Sequence, residues 1–388
     1  MRKIKLVHVV GNLGFGGAER FVIDLCNEIA KNKRYEVTII SLCENKIENP
    51  FINDIAADVE YLTFHKKKGF SLTVLLKLTA WLKNKKPNLV HTHLNSSEYL
   101  TLYRILFNKV SFFHTVHNVA QIECPNQLLK FFRYLFYKGN KVIPITISDN
   151  GRKTYRNYYH LVNDVLIENG RPTLKFTSAV DHLVTQYKSD KESFVLVHVG
   201  RISAEKNQLL LIRAVQRFNA LESGKCRLLI IGQVQDDRLY RQLLTEVRND
   251  KQIEFLGAKE NIGDYLSVAD VFCLSSRFEG MPISLIESFS VGCVSVCTPV
   301  GGIPQMIEEG VTGFLTSDLS TESYYEALKK ATEANRSTIS DNVINEFYKK
   351  YHIGISAEKH LKAYLNALSA AGREKSYNSF TSLKTERT

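Results

Sequence analysis

The sequence predicts an α/β protein built from two doubly wound, parallel-sheet units that face a cleft. Three observations carry this. Short apolar runs alternate with amphipathic stretches at the spacing of βα units. The alternation lapses once near the middle of the chain and then restarts. No run approaches the roughly 18–20 apolar residues that a membrane helix needs.

In the first half, Ile4–Val10, Glu36–Leu42, Leu89–His93, Val110–Val116 and Val142–Ile147 read as strands, with helices such as Ala18–Ala30, Leu72–Lys83 and Gln127–Tyr137 between them. Residues 169–192 are polar and weakly periodic, and Arg171-Pro172 stops any helix there. A linker is placed in that stretch, with a first domain at 1–170 and a second at 171–354. In the second, Phe194–Val199, Cys226–Ile231, Ile253–Leu256, Val271–Leu274 and Val294–Cys297 read as strands and Gln208–Phe218 as a helix. Thr321–Ala334, Asp341–Tyr351 and Ile355–Ala371 are helical patterns, and the polar residues 372–388 are expected to form a frayed, flexible tail. Ligands bind beyond the carboxyl ends of strands in open α/β sheets, so the cleft is the expected site.

Composition excludes disordered and fibrous classes: 44% of the 388 residues are hydrophobic and 23% charged. Seven cysteines without framework spacing read as buried free thiols. The first apolar run is too short for a signal peptide, so a cytoplasmic protein is expected. The net charge of +11 is uneven: residues 1–168 hold 24 Lys and Arg against 14 Asp and Glu, a balance of +10. That field favours an anionic partner on the first domain. Lys130–Lys138 mixes cations with aromatics, and His65–Lys68 and Trp81–Lys86 add to it. Two readings are open: peripheral contact with an anionic membrane surface, or aromatics in the core and solvated lysines. Nucleic acid is not expected, because no binding motif accompanies the charge.

Four constellations carry candidate chemistry. Gly11–Arg20 follows the first strand and opens a helix, where glycines admit a phosphate and the helix end adds about half a positive charge. A tight βα turn is the plainer reading, and Leu13 breaks the dinucleotide fingerprint. His114–Asn118 and His91–His93 end two strands. A zinc site from the four histidines lacks a completing carboxylate or cysteine pattern, so a single cleft-lining histidine, His117, fits better; a structural His117 is also open. Gly200–Asn207 brings Arg201 and Lys206 five residues apart across a loop, suited to a diphosphate or else to solvent. Glu279–Glu287 is the most specific: Pro282 is expected as the first helical residue, with Glu279 ahead of the helix and Glu287 inside it.

At these residues the chain resembles the GT-B fold, retaining glycosyltransferases of family four. The supporting pieces stand in order: Gly16-Gly17-Ala18-Glu19, His117, Ile147-Ser148, Glu168-Asn169-Gly170, Val199-Gly200-Arg201 with Glu205-Lys206, Glu279 with Glu287, Gly301–Pro304 and Gly310–Gly313. The resemblance implies two Rossmann-like domains and a last helix, 355–371, returning to the first. It implies that Arg201 and Lys206 bind the donor diphosphate, that Glu279 contacts the transferred sugar, and that Glu287 contacts the ribose. His117 would lie near the sugar. Gly16, Gly17, Gly280, Met281, Ile283 and Ser284 would line the donor, and Glu19 and Asn118 the acceptor. Catalysis would rest on Glu279, His117, Arg201 and Lys206.

The activity so implied is transfer of a hexose or N-acetylhexosamine from a nucleotide diphosphate sugar, UDP being the first choice, to a glycan or lipid-linked glycan in cell-surface polysaccharide synthesis. No metal or other cofactor is expected, since charged side chains and a helix end would stabilise the leaving diphosphate and no Asp-x-Asp pair is present. Pro282, Gln233 and Gln305 depart from the family pattern. A nucleotide-sugar epimerase of the same fold and a non-catalytic sugar-nucleotide-binding subunit are the alternatives. A nicotinamide oxidoreductase is disfavoured by Leu13.

Overall fold

The computed structural model describes residues 3–14, 16–43, 50–107, 109–188, 193–223 and 225–370. The expected tail at 372–388 and the expected last helical residue, Ala371, lie outside the described residues. The chain forms two compact units. Of the described residues, the first unit takes those up to Ile147, then Arg152–Ile167 and the chain from Gly354 on; the second takes Ser148–Gly151 and Glu168–Ile353. The expected boundary after residue 170 therefore falls inside a segment that packs with the second unit.

The first unit holds β1 (Ile4–Val10), β2 (Tyr35–Cys43), β3 (Val59–Lys66), β4 (Leu89–His93), β5 (Ser111–Val116), β6 (Ile143–Thr146) and β7 (Val165–Leu166). They form one seven-stranded sheet in the order β3-β2-β1-β4-β5-β6-β7, and every pair is parallel. Helices α1 (Gly17–Ala30), α2 (Leu72–Lys85), α3 (Thr101–Leu106), α4 (Ala120–Glu123), α5 (Gln127–Lys138) and α6 (Asp149–Tyr159) connect them. A parallel sheet covered on both faces buries its central strands twice, which is why β1 reads as an almost unbroken apolar run. α1 buries the stripe Phe21, Val22, Leu25, Cys26 and Ile29.

The second unit holds β8 (Ser193–Val199), β9 (Lys225–Ile231), β10 (Ile253–Gly257), β11 (Val271–Leu274), β12 (Val294–Cys297) and β13 (Phe314–Leu315). The sheet order is β10-β9-β8-β11-β12-β13, again all parallel. Its helices are α7 (Ala179–Tyr187), α8 (Gln208–Leu221), α9 (Asp237–Glu246), α10 (Ile262–Val268), α11 (Ile283–Ser290), α12 (Thr321–Glu333) and α13 (Arg336–Glu346). The last helix, α14 (Ile353–Ala370), returns to the first sheet, where it buries Ala357, Tyr364 and Leu368. There the Tyr364 hydroxyl lies 2.6 Å from His91 Nδ1 on β4, and its ring meets Phe113 of β5 edge-on at 4.9 Å.

Strand order reverses between β1 and β4 and again between β8 and β11. Such switch points are where doubly wound sheets hold ligands. Residues 11–14, Gly16, Gly17 and His93 flank the first; residues 200–206 and 275–279 flank the second.

Several expectations are corrected. β3 is an edge strand with mostly half-exposed side chains, so it lacks the apolar run of its neighbours. α7 occupies part of the expected linker and buries only Leu183 and Tyr187, too thin a stripe to register as periodic. Pro282 is not the first helical residue: its ring holds φ at −71°, but ψ is extended at 122°, and α11 opens at Ile283. The pattern at Asp341–Tyr351 divides into α13, which opens earlier because the Asn335 side chain accepts from Thr338 N, and a π-helical turn at Phe347–Tyr351. All seven cysteines are free.

Candidate functional site

In the second unit, the loops that leave β8 and β11 bring two charged residues together. Lys206 Nζ donates to Glu279 Oε1 at 2.6 Å, and Ser276 Oγ donates to the same oxygen at 2.6 Å. Arg277 N donates to Glu205 O at 2.7 Å and Ser275 Oγ to Lys206 O at 2.9 Å, which fastens the two loops to each other. Arg201 begins the first of these loops with its side chain exposed, while its carbonyl accepts from buried Gln208 Nε2 at 2.8 Å. Beneath it, His198 Nδ1 donates to Cys273 O at 2.9 Å and Nε2 faces Gln208. Burial holds this imidazole at about 4, so it is neutral and structural.

Glycines set how closely these strand ends approach. Gly301 has φ +59°, and a Cβ there would collide with the Glu279 carbonyl. Gly302 N donates to Gly280 O at 3.0 Å, and a Cβ on Gly302 would strike that same oxygen. The Gly301-Gly302-Ile303-Pro304 run is therefore a backing plate for Glu279 and Gly280. Gln305, next in the chain, ties this run to another segment of the unit, since its Oε1 accepts from Asp149 N at 2.7 Å.

The segment from Glu279 into α11 has two supports that its own motif does not reveal. Asn169 Nδ2 donates to Met281 O at 3.3 Å, and Asn169 N lies 3.2 Å from the buried Met281 sulfur. Glu287 is not on an exposed helix face. It is 9% exposed and pairs with buried Arg171 at 2.9 Å. The Glu168–Arg171 motif is the signal that could have located both supports. Ile283 is buried and Ser284 half-buried in the first turn of α11, whose N-cap Pro282 makes no side-chain cap hydrogen bond. That turn presents backbone N–H groups and the positive end of the helix dipole to an anion.

In the first unit, Gly16 is the N-cap of α1, again without a side-chain cap, and Gly17 opens the helix. A Cβ at Gly16 would collide with the Glu19 carboxylate, so Glu19 folds back over the helix start rather than standing clear of it. His117 is 8% exposed. Its backbone N–H donates to Glu123 Oε2 at 2.7 Å, and Asn118 N–H lies 3.3 Å from the same oxygen.

The histidines divide by face. His8 pairs in register with His91, and His93 lies two residues on, so all three share one side of the sheet. Thr92 pairs with His114 on the opposite side, where His114 Nδ1 meets Thr92 Oγ1 at 2.8 Å and His114 Nε2 meets Glu123 at 3.1 Å. Strand alternation thus separates His114 from His91 and His93. One potential ligand triad does exist among the described residues: His8, His91 and His93 place ring atoms within 4.8 Å of one another. Both His91 nitrogens are already engaged, by Tyr364 OH and by Thr115 Oγ1 at 2.7 Å.

The basic, aromatic helix α5 is built inside out. Its inward residues are Arg133 and Tyr137, with Arg133 paired to Glu98 at 2.6 Å and facing Glu123 at 3.7 Å. Its outward face carries Leu128 (65% exposed), Phe131 (54%), Phe132 (46%) and Leu135 (46%). The reading that placed these aromatics in the core is therefore overturned at Phe131 and Phe132. No helix of the described residues is long and apolar enough to cross a membrane.

Residues 15–171 match the family described as Glycosyltransferase Family 4, and residues 181–350 match Glycosyl transferases group 1. Over 387 residues the chain is 24% identical to the UDP-Gal:alpha-D-GlcNAc-diphosphoundecaprenol alpha-1,3-galactosyltransferase of Escherichia coli, covering 94% of this chain and 97% of that protein. It is 22% identical to a capsular polysaccharide biosynthesis glycosyltransferase of Staphylococcus aureus, over 76% of this chain and 82% of the relative. Among solved structures, an Anabaena protein in complex with UDP and glucose superposes with a TM-score of 0.78 at 17% identity, over 95% of this chain and 100% of that one. A parallel-sheet pair with this strand order, two family matches that together span most of the chain, and full-length relatives of one kind lead to one assignment: the chain belongs to the GT-B fold glycosyltransferases of group 1, family 4.

Proposed function

We propose that the protein is a retaining, metal-independent hexosyltransferase or N-acetylhexosaminyltransferase that uses a UDP-sugar and extends a lipid-linked glycan in cell-surface polysaccharide synthesis. The observation that carries this is the Lys206–Glu279 pair, set by the β8 and β11 loops in the unit whose helix α11 starts without a side-chain cap. The donor diphosphate is read as lying against Lys206, Arg201 and the first turn of α11. As the sugar–phosphate bond breaks, negative charge builds on the diphosphate, and these fixed positive groups stabilise it. Glu279, steadied by Lys206 and Ser276, accepts from hydroxyls of the departing sugar, and Glu287 takes the ribose. The acceptor oxygen forms the new glycosidic bond, and its proton passes to the leaving diphosphate. The Escherichia coli relative is named for an alpha product, and an alpha product from an alpha-linked nucleotide sugar is net retention.

The acceptor is read from the first unit. Exposed Phe131, Phe132, Leu128 and Leu135, flanked by Lys130 and Lys138, suit an anionic lipid surface, where apolar side chains enter the headgroup boundary and lysines meet phosphates. Peripheral contact there would bring the enzyme to a lipid-linked acceptor.

A donor panel of UDP-, GDP- and ADP-hexoses read by thermal shift tests the reading. A UDP-hexose should raise the melting temperature by mass action, and Lys206→Ala should remove the shift. A shift that survives in both Lys206→Ala and Arg201→Ala would sink the site assignment.

A further inference from the structure

One face of the first sheet carries three imidazoles in file. His8 Nδ1 lies 2.9 Å from His93 Nε2, and His93 Nδ1 lies 3.0 Å from His117 Nε2. The His8 and His93 rings are stacked within 13°. His8 and His93 are fully buried and His117 nearly so. The two outer nitrogens, His8 Nε2 and His117 Nδ1, have no hydrogen-bond partner among the described residues. Burial disfavours the imidazolium form of all three, with His8 held at about 3, His117 at about 4 and His93 well below the ordinary value. At neutral pH each ring therefore carries one proton.

Both links run in the same sense, Nδ1 of one ring to Nε2 of the next. Each link needs one proton, so the three rings must share a tautomer. If His117 has its proton on Nδ1, its Nε2 is bare and accepts from His93 Nδ1–H, whose Nε2 in turn accepts from His8 Nδ1–H. The alternative puts every proton on Nε2. A mixed file loses a buried hydrogen bond. The deep end decides between the two. Both outer nitrogens are enclosed and unpartnered among the described residues, but His8 is 0% exposed and His117 8%, so only the His117 end can gain a partner when a ligand binds. Orphaned buried N–H groups are rarer than bare acceptors, which leaves His8 Nε2 as the bare one. The protons then sit on Nδ1 throughout, and His117 presents an N–H.

We propose that His8 and His93 are positioning residues which hold His117 in its Nδ1–H tautomer, so that His117 donates a hydrogen bond to the transferred sugar. The proposal rests on the reading of His117 as a sugar contact. His8 and His93 act through His117 and need not touch substrate.

Nitrogen-15 NMR of the full chain, labelled in the imidazoles, is the direct test. Neutral histidine in water prefers Nε2–H, so three assigned rings all protonated on Nδ1 is the expected and unusual result. Mixed tautomers, or protons on Nε2 in all three rings, overturn it. A second test compares His8→Leu with His8→Asn, whose amide stands near the Nδ1 position. Turnover is followed as UDP release from whichever UDP-hexose most raises the wild-type melting temperature. His8→Leu should lower kcat roughly tenfold, the scale of one lost hydrogen bond in the transition state, and leave KM within about twofold; His8→Asn should restore most of the loss. Wild-type kcat in His8→Leu, or no rescue by Asn, overturns the proposal. The two possible failures separate cleanly. Unchanged kcat in His117→Ala sinks the sugar contact and the file's use together, whereas a slow His117→Ala beside a normal His8→Leu sinks the file alone.

Discussion

The two units assemble their candidate residues in different ways. In the second, Lys206 and Glu279 stand on two loops leaving adjacent strands, and glycine-sized gaps set their spacing. In the first, the ring cluster draws on β1, β4, the loop after β5 and, through Tyr364 and His360, α14. A site of the first kind is written in short motifs. A site of the second kind exists only once distant segments have packed, so it tolerates disturbance differently.

The largest expected effect tests the second unit. Lys206→Ala or Glu279→Ala should lower turnover at least about 100-fold, the scale of losing a preorganised charged group; steady-state rates near wild type in Glu279→Ala would dissolve the contrast. Next, Gly301→Ala introduces a side chain at φ +59° against the Glu279 carbonyl. It should cost roughly tenfold in kcat and at least about 1 kcal/mol of stability, read by kinetics and by urea titration. An unaltered rate would mean that the glycine run does not place Glu279.

A smaller effect isolates the first unit. The double change Phe131→Ser, Phe132→Ser should weaken sedimentation with anionic vesicles at low salt by about tenfold, as apolar area leaves the interface, while UDP still raises the melting temperature. Equal binding by the double variant would remove the membrane reading of α5.

A last contrast compares the units under acid. Burial holds His8 at about 3 and His117, His198 and His360 at about 4. Their unfolded forms titrate near 6.5. Between those values the unfolded chain binds protons that the native one refuses, so stability is intact above about pH 6.5 and falls as the pH drops toward 4, by about 1.4 kcal/mol per pH unit for each such ring. All but His198 belong to the first unit, which should melt first in scans stepped from pH 7 to 4.5. A single transition, shifting as a whole, would show the units to be coupled.

Much of the fold was legible because parallel strands buried on both faces are apolar runs: β1, β4, β11 and β12 are found at the residues where the sequence placed them. β3 was missed because edge strands are half exposed, and β7 and β13 because two residues make no pattern. The Lys206–Glu279 contact was foreshadowed by two charged motifs, although nothing local indicated that they would pair. The Glu168–Arg171 motif marked Arg171 but not its partner, since Arg171 and Glu287 stand far apart in the chain and meet only when the fold closes. The outward face of α5 was ambiguous for a simple reason: an amphipathic pattern states which residues share a face, not whether that face meets protein or solvent.

The route of α14 bears on how the chain is made. Tyr364 and His360 are the last described contributions to the cluster around His91, yet His8 belongs to β1, which is synthesised about 350 residues earlier. Ribosomes add about 5–20 residues per second, so the earliest sheet waits tens of seconds for its final cover while the second unit can already close. A fragment cut at the boundary near residue 168 would carry that uncovered imidazole face permanently, and should be recovered only as aggregate unless residues 353–370 are supplied in trans.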